Sequence, residues 1–346
     1  MILIVRHGPG RGRISQYMQP ALDHLQRSRP ALYAQLRFHE TGASRPPLDG
    51  IRAVVFWLAD PLREQFPACF QEASALHSLA RERGIPTINP PEALSNSIKS
   101  VQAWLWRESG IPTPDHRRFE SREELGRALN EVRFPLIVRP DELHSQIGMR
   151  ICRHRGEVEA IVDHRFGYPG TLTSLVDVRE GYRTSAPGTV WARYYHKKRA
   201  LVLGRIVLAN EVFFSRHPIV ASQTCTFGWY DRGWVSLGRL APWLPWEQRC
   251  LEADRAFSEA GPVHADLMRK SVSTLGLAFA AIDYADLADG GVVLWESNPY
   301  FYLPPLREMF LPGPRRIKER LETVFEAVGN FFQDLLNGGA PPETRN

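Results

Sequence analysis

Ala280-Ala281-Ile282-Asp283-Tyr284 is followed by Asp289-Gly290-Gly291, then by Val292-Val293-Leu294-Trp295-Glu296-Ser297-Asn298-Pro299. This order predicts a strand, a glycine turn and a second strand, with a carboxylate on the first and a Glu-x-Asn pair closing the second. Side chains two apart on a strand share a face, about 6.6 Å apart, and a neighbouring strand lies about 4.8 Å away. Asp283, Glu296 and Asn298 can therefore converge as a patch of hard oxygen ligands. A hairpin with polar ends is the plainer reading. Two strands, a glycine turn and three ligand-type side chains together favour a metal. Mg²⁺ suits such a patch, because it takes few protein ligands and completes its shell with water and phosphate oxygens.

The chain has 346 residues, enough for two or three modest domains with real cores. Hydrophobic residues make up 43% and charged residues 23%, the balance of a soluble globular protein. No apolar run approaches the roughly 18 residues of a membrane span. Met1-Ile2-Leu3-Ile4-Val5 is too short for a signal-peptide core and ends in Arg6-His7, so a cytoplasmic location is expected. The net charge of +5 is spread along the chain and fits polyphosphate or acidic substrates as well as nucleic acid. The densest basic run, Arg315 to Arg320, reads as a solvated helix face, so no nucleic-acid partner is expected. Cys69, Cys152, Cys225 and Cys250 lie far apart, which argues against a disulfide framework or a structural zinc site.

Strand and helix patterns alternate at the N-terminus. Met1–Val5 and Ala53–Leu58 are continuous apolar runs, as strands buried on both faces show. Ser15–Gln26 has helical spacing, Ala34–Phe38 is a weak strand, and Phe70–Arg83 is an amphipathic helix ending at Gly84. Pro86–Asn89 is a short strand, which completes a small α/β domain with a mostly parallel sheet. His7-Gly8-Pro9-Gly10-Arg11-Gly12 has neither dinucleotide nor Walker spacing and reads as a turn before it reads as a substrate contact. A helix over Ala93–Glu108 carries Lys99, and Ser121-x-x-Glu124 is a capping box opening another helix. Strands over Phe134–Pro140, Met149–Cys152 and Leu172–Val178 predict an α+β region with an antiparallel sheet. A long strand from Val190 to Gly204 turns back into Arg205–Leu208. Residues 216–250 are irregular and Trp-rich, 251–275 and 315–336 are helical, and the Gly/Pro tail reads as disordered.

The order of these pieces resembles the ATP-grasp superfamily of carboxylate–amine ligases, nearest its glutathione synthetase and RimK-like branch. Four motifs carry the likeness: Asn96-Ser97-Ile98-Lys99 with Gly110–Pro114, Phe134–Pro140, Lys198–Gly204 and Leu277–Asn298. The resemblance implies a pre-ATP-grasp α/β domain (1–95), a central subdomain with a phosphate-side flap (96–178), a C-terminal subdomain with the Mg²⁺ site (179–336) and a tail (337–346). It implies that ATP lies between the two α+β subdomains and passes its γ-phosphate to a substrate carboxylate, and that an amine then attacks the acyl phosphate. Asp283, Glu296 and Asn298 match the family's magnesium ligands, and Arg199 matches its catalytic arginine. Lys99, Arg139 and, more weakly, Lys197 match cations on the phosphate side. Arg139 stands where relatives usually have lysine, exchanging a point charge for a fork. Leu175, Val176 and Asp177 fall in the hinge that would carry adenine. Relatives cover the phosphates with a glycine- and serine-rich flap; here Asp141 to Gly148 keeps only Ser145 and Gly148 of that pattern.

The expected activity is ATP- and Mg²⁺-dependent, ADP-forming amide or peptide bond formation between a small-molecule or peptide carboxylate and an amine. The alternatives are a nucleotide-binding regulatory or scaffold protein, favoured by the eroded flap, and a kinase on the same fold. A homodimer is the family-level expectation. The acceptor is not readable; residues 7–13, 57–62 and 216–250 are where its specificity is expected.

Overall fold

The computed structural model describes residues 1–8, 17–143, 148–162, 166–181, 194–220, 245–306 and 312–339. Among them the helices are α1 (Gln19–Ser28), α2 (Pro30–Tyr33), α3 (Leu62–Gln65), α4 (Pro67–Glu82), α5 (Lys99–Glu108), α6 (Arg122–Ala128), α7 (Arg155–Val162), α8 (Pro245–Ala260), α9 (Ala265–Thr274) and α10 (Pro312–Leu336).

β1 (Ile2–Arg6), β2 (Leu36–Glu40), β3 (Ala53–Phe56) and β4 (Thr87–Ile88) form a sheet in the order β2-β1-β3-β4, with every pair parallel. The apolar runs of β1 and β3 are buried on both faces. Ile2, Ile4 and Val55 meet Leu22 and Leu25 of α1 on one side. Leu3, Val54 and Phe56 meet Ala73 and Leu76 of α4 on the other. Gly84, at φ 68°, ends the α4 segment as its C-cap spacing predicted.

β5 (His116–Phe119), β6 (Leu136–Pro140), β7 (Arg150–Cys152) and β8 (Gly170–Ser174) form an antiparallel sheet in the order β5-β8-β6-β7. Alternation along these strands divides its faces. Phe119, Leu136, Val138 and Leu172 pack on Leu125 of α6 and Val158 of α7. His116, Arg118, Thr171, Thr173 and Arg139 occupy the opposite face. Ser121 caps α6 as expected, accepting from Glu124 N at 3.2 Å, while Glu124 Oε2 accepts from Glu120 N, one residue before the cap, at 2.7 Å.

β9 (Tyr195–Leu203), β10 (Ile206–Ser215), β11 (Phe279–Asp286) and β12 (Val292–Asn298) form the third sheet, antiparallel in the order β10-β9-β11-β12. Its apolar positions join the cores of the first sheet. Leu201, Leu203 and Phe279 enter the core with Ile2 and Phe325 of α10. Ala200, Val202 and Ile282 enter the one with Val54 and Trp106 of α5.

Several elements depart from their predicted form. The single helix expected over 93–108 is a 3₁₀ turn, Ala93–Ser97, then α5, because Ile98 is extended at φ −55°, ψ 130°. Lys99 is consequently the first residue of α5 rather than a mid-helix lysine. The 251–275 helix is two helices, α8 and α9. Gly261 between them adopts φ 73°, and Pro262 cannot continue α8. β5 has no strand signal, because His116-Arg117-Arg118-Phe119 is too polar to read as a strand. β8 ends at Ser174, so residues 175–178 leave the sheet. The expected strand from Val190 is described from Tyr195 onward, while 190–193, most of the Trp-rich segment and the end of the tail lie outside the described residues.

Candidate active site

The C-terminal sheet carries a row of four charged residues in register. Glu211 on β10 pairs with Arg199 on β9, Arg199 with Asp283 on β11, and Asp283 with Glu296 on β12. A bulge makes the last pairing. Tyr284 opposes Leu294 and Asp283 opposes Glu296, which leaves Trp295 as the extra residue. Without it Glu296 would share the core face of Leu294; with it Glu296 joins the face of Asp283. Asn298, opposite Ala281, follows Glu296 on that face.

Asp283 is 4% exposed. Arg199 Nε donates to its Oδ1 at 2.7 Å, Arg199 Nη2 to Oδ2 at 3.0 Å, and Lys197 Nζ to Oδ2 at 2.9 Å. Burial opposes the charge on Asp283, but Arg199 and Lys197 outweigh it and hold the carboxyl below its ordinary range. Burial likewise opposes the Arg199 charge, which Asp283 more than restores. Arg199 is the strand neighbour of Asp283, and Lys197, expected on the phosphate side, is the second cation on Asp283. The cause is register: a buried carboxylate between two strands takes the cations directly beside it.

The second wall comes from α5 and β6. Lys99, 4% exposed, lies with Nζ 3.5 Å from Glu296 Oε2. Arg139, 6% exposed, donates from Nη2 to Leu143 O. Burial disfavours its charge, and Glu296 and Asp141 counter that. Arg139 Nε and Thr171 Oγ1, on paired residues of β6 and β8, are both buried without a hydrogen-bond partner. His116 lies on the same face. Burial pushes its imidazole down to about 4, and the neutral ring donates from Nδ1 to Pro114 O at 2.8 Å.

Asp141, which no sequence motif marks, belongs to the site. It is fully buried and accepts from Ser100 N at 3.0 Å and from Ser100 Oγ, tying the end of β6 to the first turn of α5. Burial raises its pKa against these bonds. Asp141 thus joins the start of α5, with Lys99, to the end of β6, with Arg139, and no local sequence signal links residues 100 and 141. Gly148 resumes the chain after the flap at φ 72°, where an added Cβ would lie 2.8 Å from Pro140 Cδ. Ser145 and His144 lie outside the described residues.

The hinge offers an apolar wall. Val176 packs with Val178, Ala285, Val293 and Trp295. Leu175 N donates to Pro135 O at 3.4 Å. Asp177 is exposed and its carboxylate is held by Arg179, apart from the phosphate-side cations.

Asp283, Glu296 and Asn298 are hard oxygen donors on one sheet face, the ligand type Mg²⁺ takes. Among the described residues no group of three or more His, Cys, Asp or Glu side chains is arranged to hold a metal. The set of two carboxylates and one amide leaves most of a magnesium shell to water and phosphate. The orphaned Arg139 Nε and Thr171 Oγ1 supply donors suited to anionic oxygens on the facing wall.

No family model matches the chain. A D-alanine–D-alanine ligase of Verminephrobacter eiseniae is 41% identical over 158 residues, which are 41% of this chain and 44% of the relative. The first matched relatives are covered over 28%, 24% and 44% of their own lengths, less than half in each case. The VanG D-Ala:D-Ser ligase of Enterococcus faecalis superposes with a TM-score of 0.52 at 13% identity, covering 95% of this chain and 98% of that one. A RimK domain ATP-grasp protein of Sphaerobacter thermophilus superposes with a TM-score of 0.51 at 13% identity, covering 96% and 100%. With likeness of this kind running the length of the molecule, the chain has the ATP-grasp fold.

Proposed function

We propose that the chain is an ATP- and Mg²⁺-dependent ligase that joins a carboxylate to an amine with release of ADP and phosphate. The observation that carries this is the convergence of buried Lys99 and Arg139 on Glu296, which is itself in register with Asp283. Lys99 and Arg139 would neutralise and align phosphate oxygens, and Thr171 would donate a hydrogen bond beside them. Glu296, Asn298 and Asp283 would hold Mg²⁺, with Asp283 shared with Arg199 and Lys197. Bound Mg²⁺ would supply charge neutralisation between the nucleotide phosphates. Arg199 would steady the negative charge that develops at the activated carboxylate. Leu175 and Val176 would flank the base, and Gly148 would anchor the flap.

Several relatives are named as ligases of D-alanine with D-alanine or D-serine, which supports an amino acid or peptide as carboxylate donor. We assign residues 1–95, 96–178 and 179–336 as the three structural units and a cytoplasmic location. Among the described residues no helix is long and apolar enough to cross a membrane.

The pairing of Asp283 with two cations favours a second reading, a nucleotide-binding protein without turnover. A screen of carboxylate and amine pairs for ADP release, with mass spectrometry of the products, separates the two. Release that requires both substrates is expected. ATP binding without turnover supports the second reading, and a phosphorylated product with no need for an amine supports a kinase.

A further inference from the structure

β9 lies between β10 and β11, so Arg199 stands mid-sheet with a carboxylate on each side, Asp283 on β11 and Glu211 on β10. Asp283 takes the Nε and Nη2 donors of Arg199. Among the described residues Nη1 donates no hydrogen bond, so the Asp283 contact holds the guanidinium along one edge only. Glu211 reaches the same sheet face through a bulge. Ala209 pairs with Ala200 and Glu211 with Arg199, leaving Asn210 as the extra residue. In unbroken register Glu211 would oppose Lys198 and point away from Arg199. With the bulge, Glu211 and Arg199 are direct cross-strand neighbours and line one narrow cleft. Burial opposes the Arg199 charge, and Asp283 and then Glu211 sustain it.

Glu211 is itself anchored from the far side of β10. It is 8% exposed, and Arg320 Nη2 on α10 lies 3.9 Å from its Oε1. That is an ion pair without a hydrogen bond, so Arg320 steadies the charge and leaves the Glu211 acceptors unoccupied by it. Arg320 Nη1 donates to Asp254 of α8. The other Asp254 oxygen, Oδ1, accepts from Val212 N at 2.9 Å, one residue past Glu211. Asp254 therefore fixes both the cation behind Glu211 and the backbone that carries Glu211. A buried carboxylate is costly on a strand. This one is placed beside the arginine assigned to the reacting carboxylate.

We infer that Glu211 is a positioning residue. Anchored by Arg320 and Asp254, it fixes the Arg199 guanidinium from the side opposite Asp283. Arg199 then presents its remaining N–H groups at one angle, as stabilisation of charge developing in a transition state requires. The effect on turnover rests on the ligase reading above, whereas the contact rests on strand register alone. The test uses the full chain with isotopically labelled arginine, and NMR exchange measurements give the rotation rate of the Arg199 guanidinium about Nε–Cζ. Arg199→Lys identifies the signal. Glu211→Gln should quicken that rotation by about fivefold or more, because a group steadied by one anion instead of two opens more often. It should lower kcat by about tenfold to a hundredfold, the scale of a small misplacement at the reacting centre, and leave the KM for ATP unchanged. Glu211→Asp keeps the charge and should recover most of both effects. A merely structural Glu211 would lower the unfolding midpoint and leave the rotation as in the wild type, and that result overturns the inference. If Glu211→Gln fails to fold, Arg320→Lys is read instead. It replaces the fork behind Glu211 with a point charge and should quicken the same rotation, and unchanged rotation there overturns the inference as well. Faster rotation in a protein that never releases ADP retires the ligase reading and keeps the positioning role. ADP release that requires both substrates, with rotation unchanged in Glu211→Gln, retires the positioning role and keeps the ligase.

Discussion

Lys99 Nζ stands 3.5 Å from Glu296 Oε2, joining the first residue of α5 to the strand that carries the expected metal ligands. The pair crosses from the phosphate-side wall to the C-terminal sheet. Anything that neutralises phosphate on one side is thereby set against the carboxylates on the other.

Glu296→Gln keeps the shape of the side chain and removes its charge. Mg²⁺-dependent ADP release should fall by roughly 10²-fold or more, the scale of losing one preorganised electrostatic group. The fold should survive with a lowered thermal midpoint, since Gln leaves buried Lys99 and Arg139 without the charge that counters their burial. Activity near that of the wild type would remove Glu296 from the metal site.

Lys99→Met replaces a buried cation with an apolar side chain of similar length. The KM for ATP should rise by about tenfold or more, because a charge-assisted contact to phosphate is lost. Stability should hold or increase, since a 4% exposed ammonium is costly to desolvate. An unchanged KM alongside an intact fold would make Lys99 purely structural.

Asp283→Asn leaves Arg199 and Lys197 without the carboxylate they share. Unfolding in urea at pH 7 should show a loss of about 3 kcal/mol, the lower end for a broken buried pair. The lower end applies because the Arg199 side chain is 26% exposed and so partly screened. The pH dependence has a definite sign. The folded Asp283 carboxyl is held below its ordinary 3.8, so its stabilisation is fully present above that value and is lost as pH falls through the lower folded value. The gap between wild type and variant should therefore shrink in acid. A gap that stays constant or widens would contradict the pairing.

Gly148→Ala tests the flap boundary. A residue with a Cβ at φ 72° costs about 1–2 kcal/mol, and that Cβ would also press on Pro140. Hydrogen exchange at Pro140's neighbours should quicken, and the KM for ATP should rise. Unaltered exchange and KM would show that the strand end absorbs the change.

Much of the fold was legible because it rests on local patterns. The apolar runs of β1 and β3 announced a doubly covered parallel sheet, and Ser121 with Glu124 announced the start of α6. The Asp289-Gly290-Gly291 turn announced the β11–β12 hairpin that carries Asp283 and Glu296. β5 was missed because its site-facing side chains are polar, and the break before α5 was missed because Ile98 gives no breaker signal.

The residue types of the candidate site, and the strands that bear them, were determined by the sequence alone, since alternation and turn chemistry act over a few residues. Their partners were decided only by the tertiary structure. Two bulges, at Trp295 and Asn210, set which face Glu296 and Glu211 occupy, and a one-residue shift in register has no sequence signature here. Register placed Arg199 beside Asp283, and burial of Asp141 against Ser100 tied the start of α5, with Lys99, to the end of β6, with Arg139. Both are contacts between residues more than forty positions apart, which strand pairing and core packing create and local propensity does not encode.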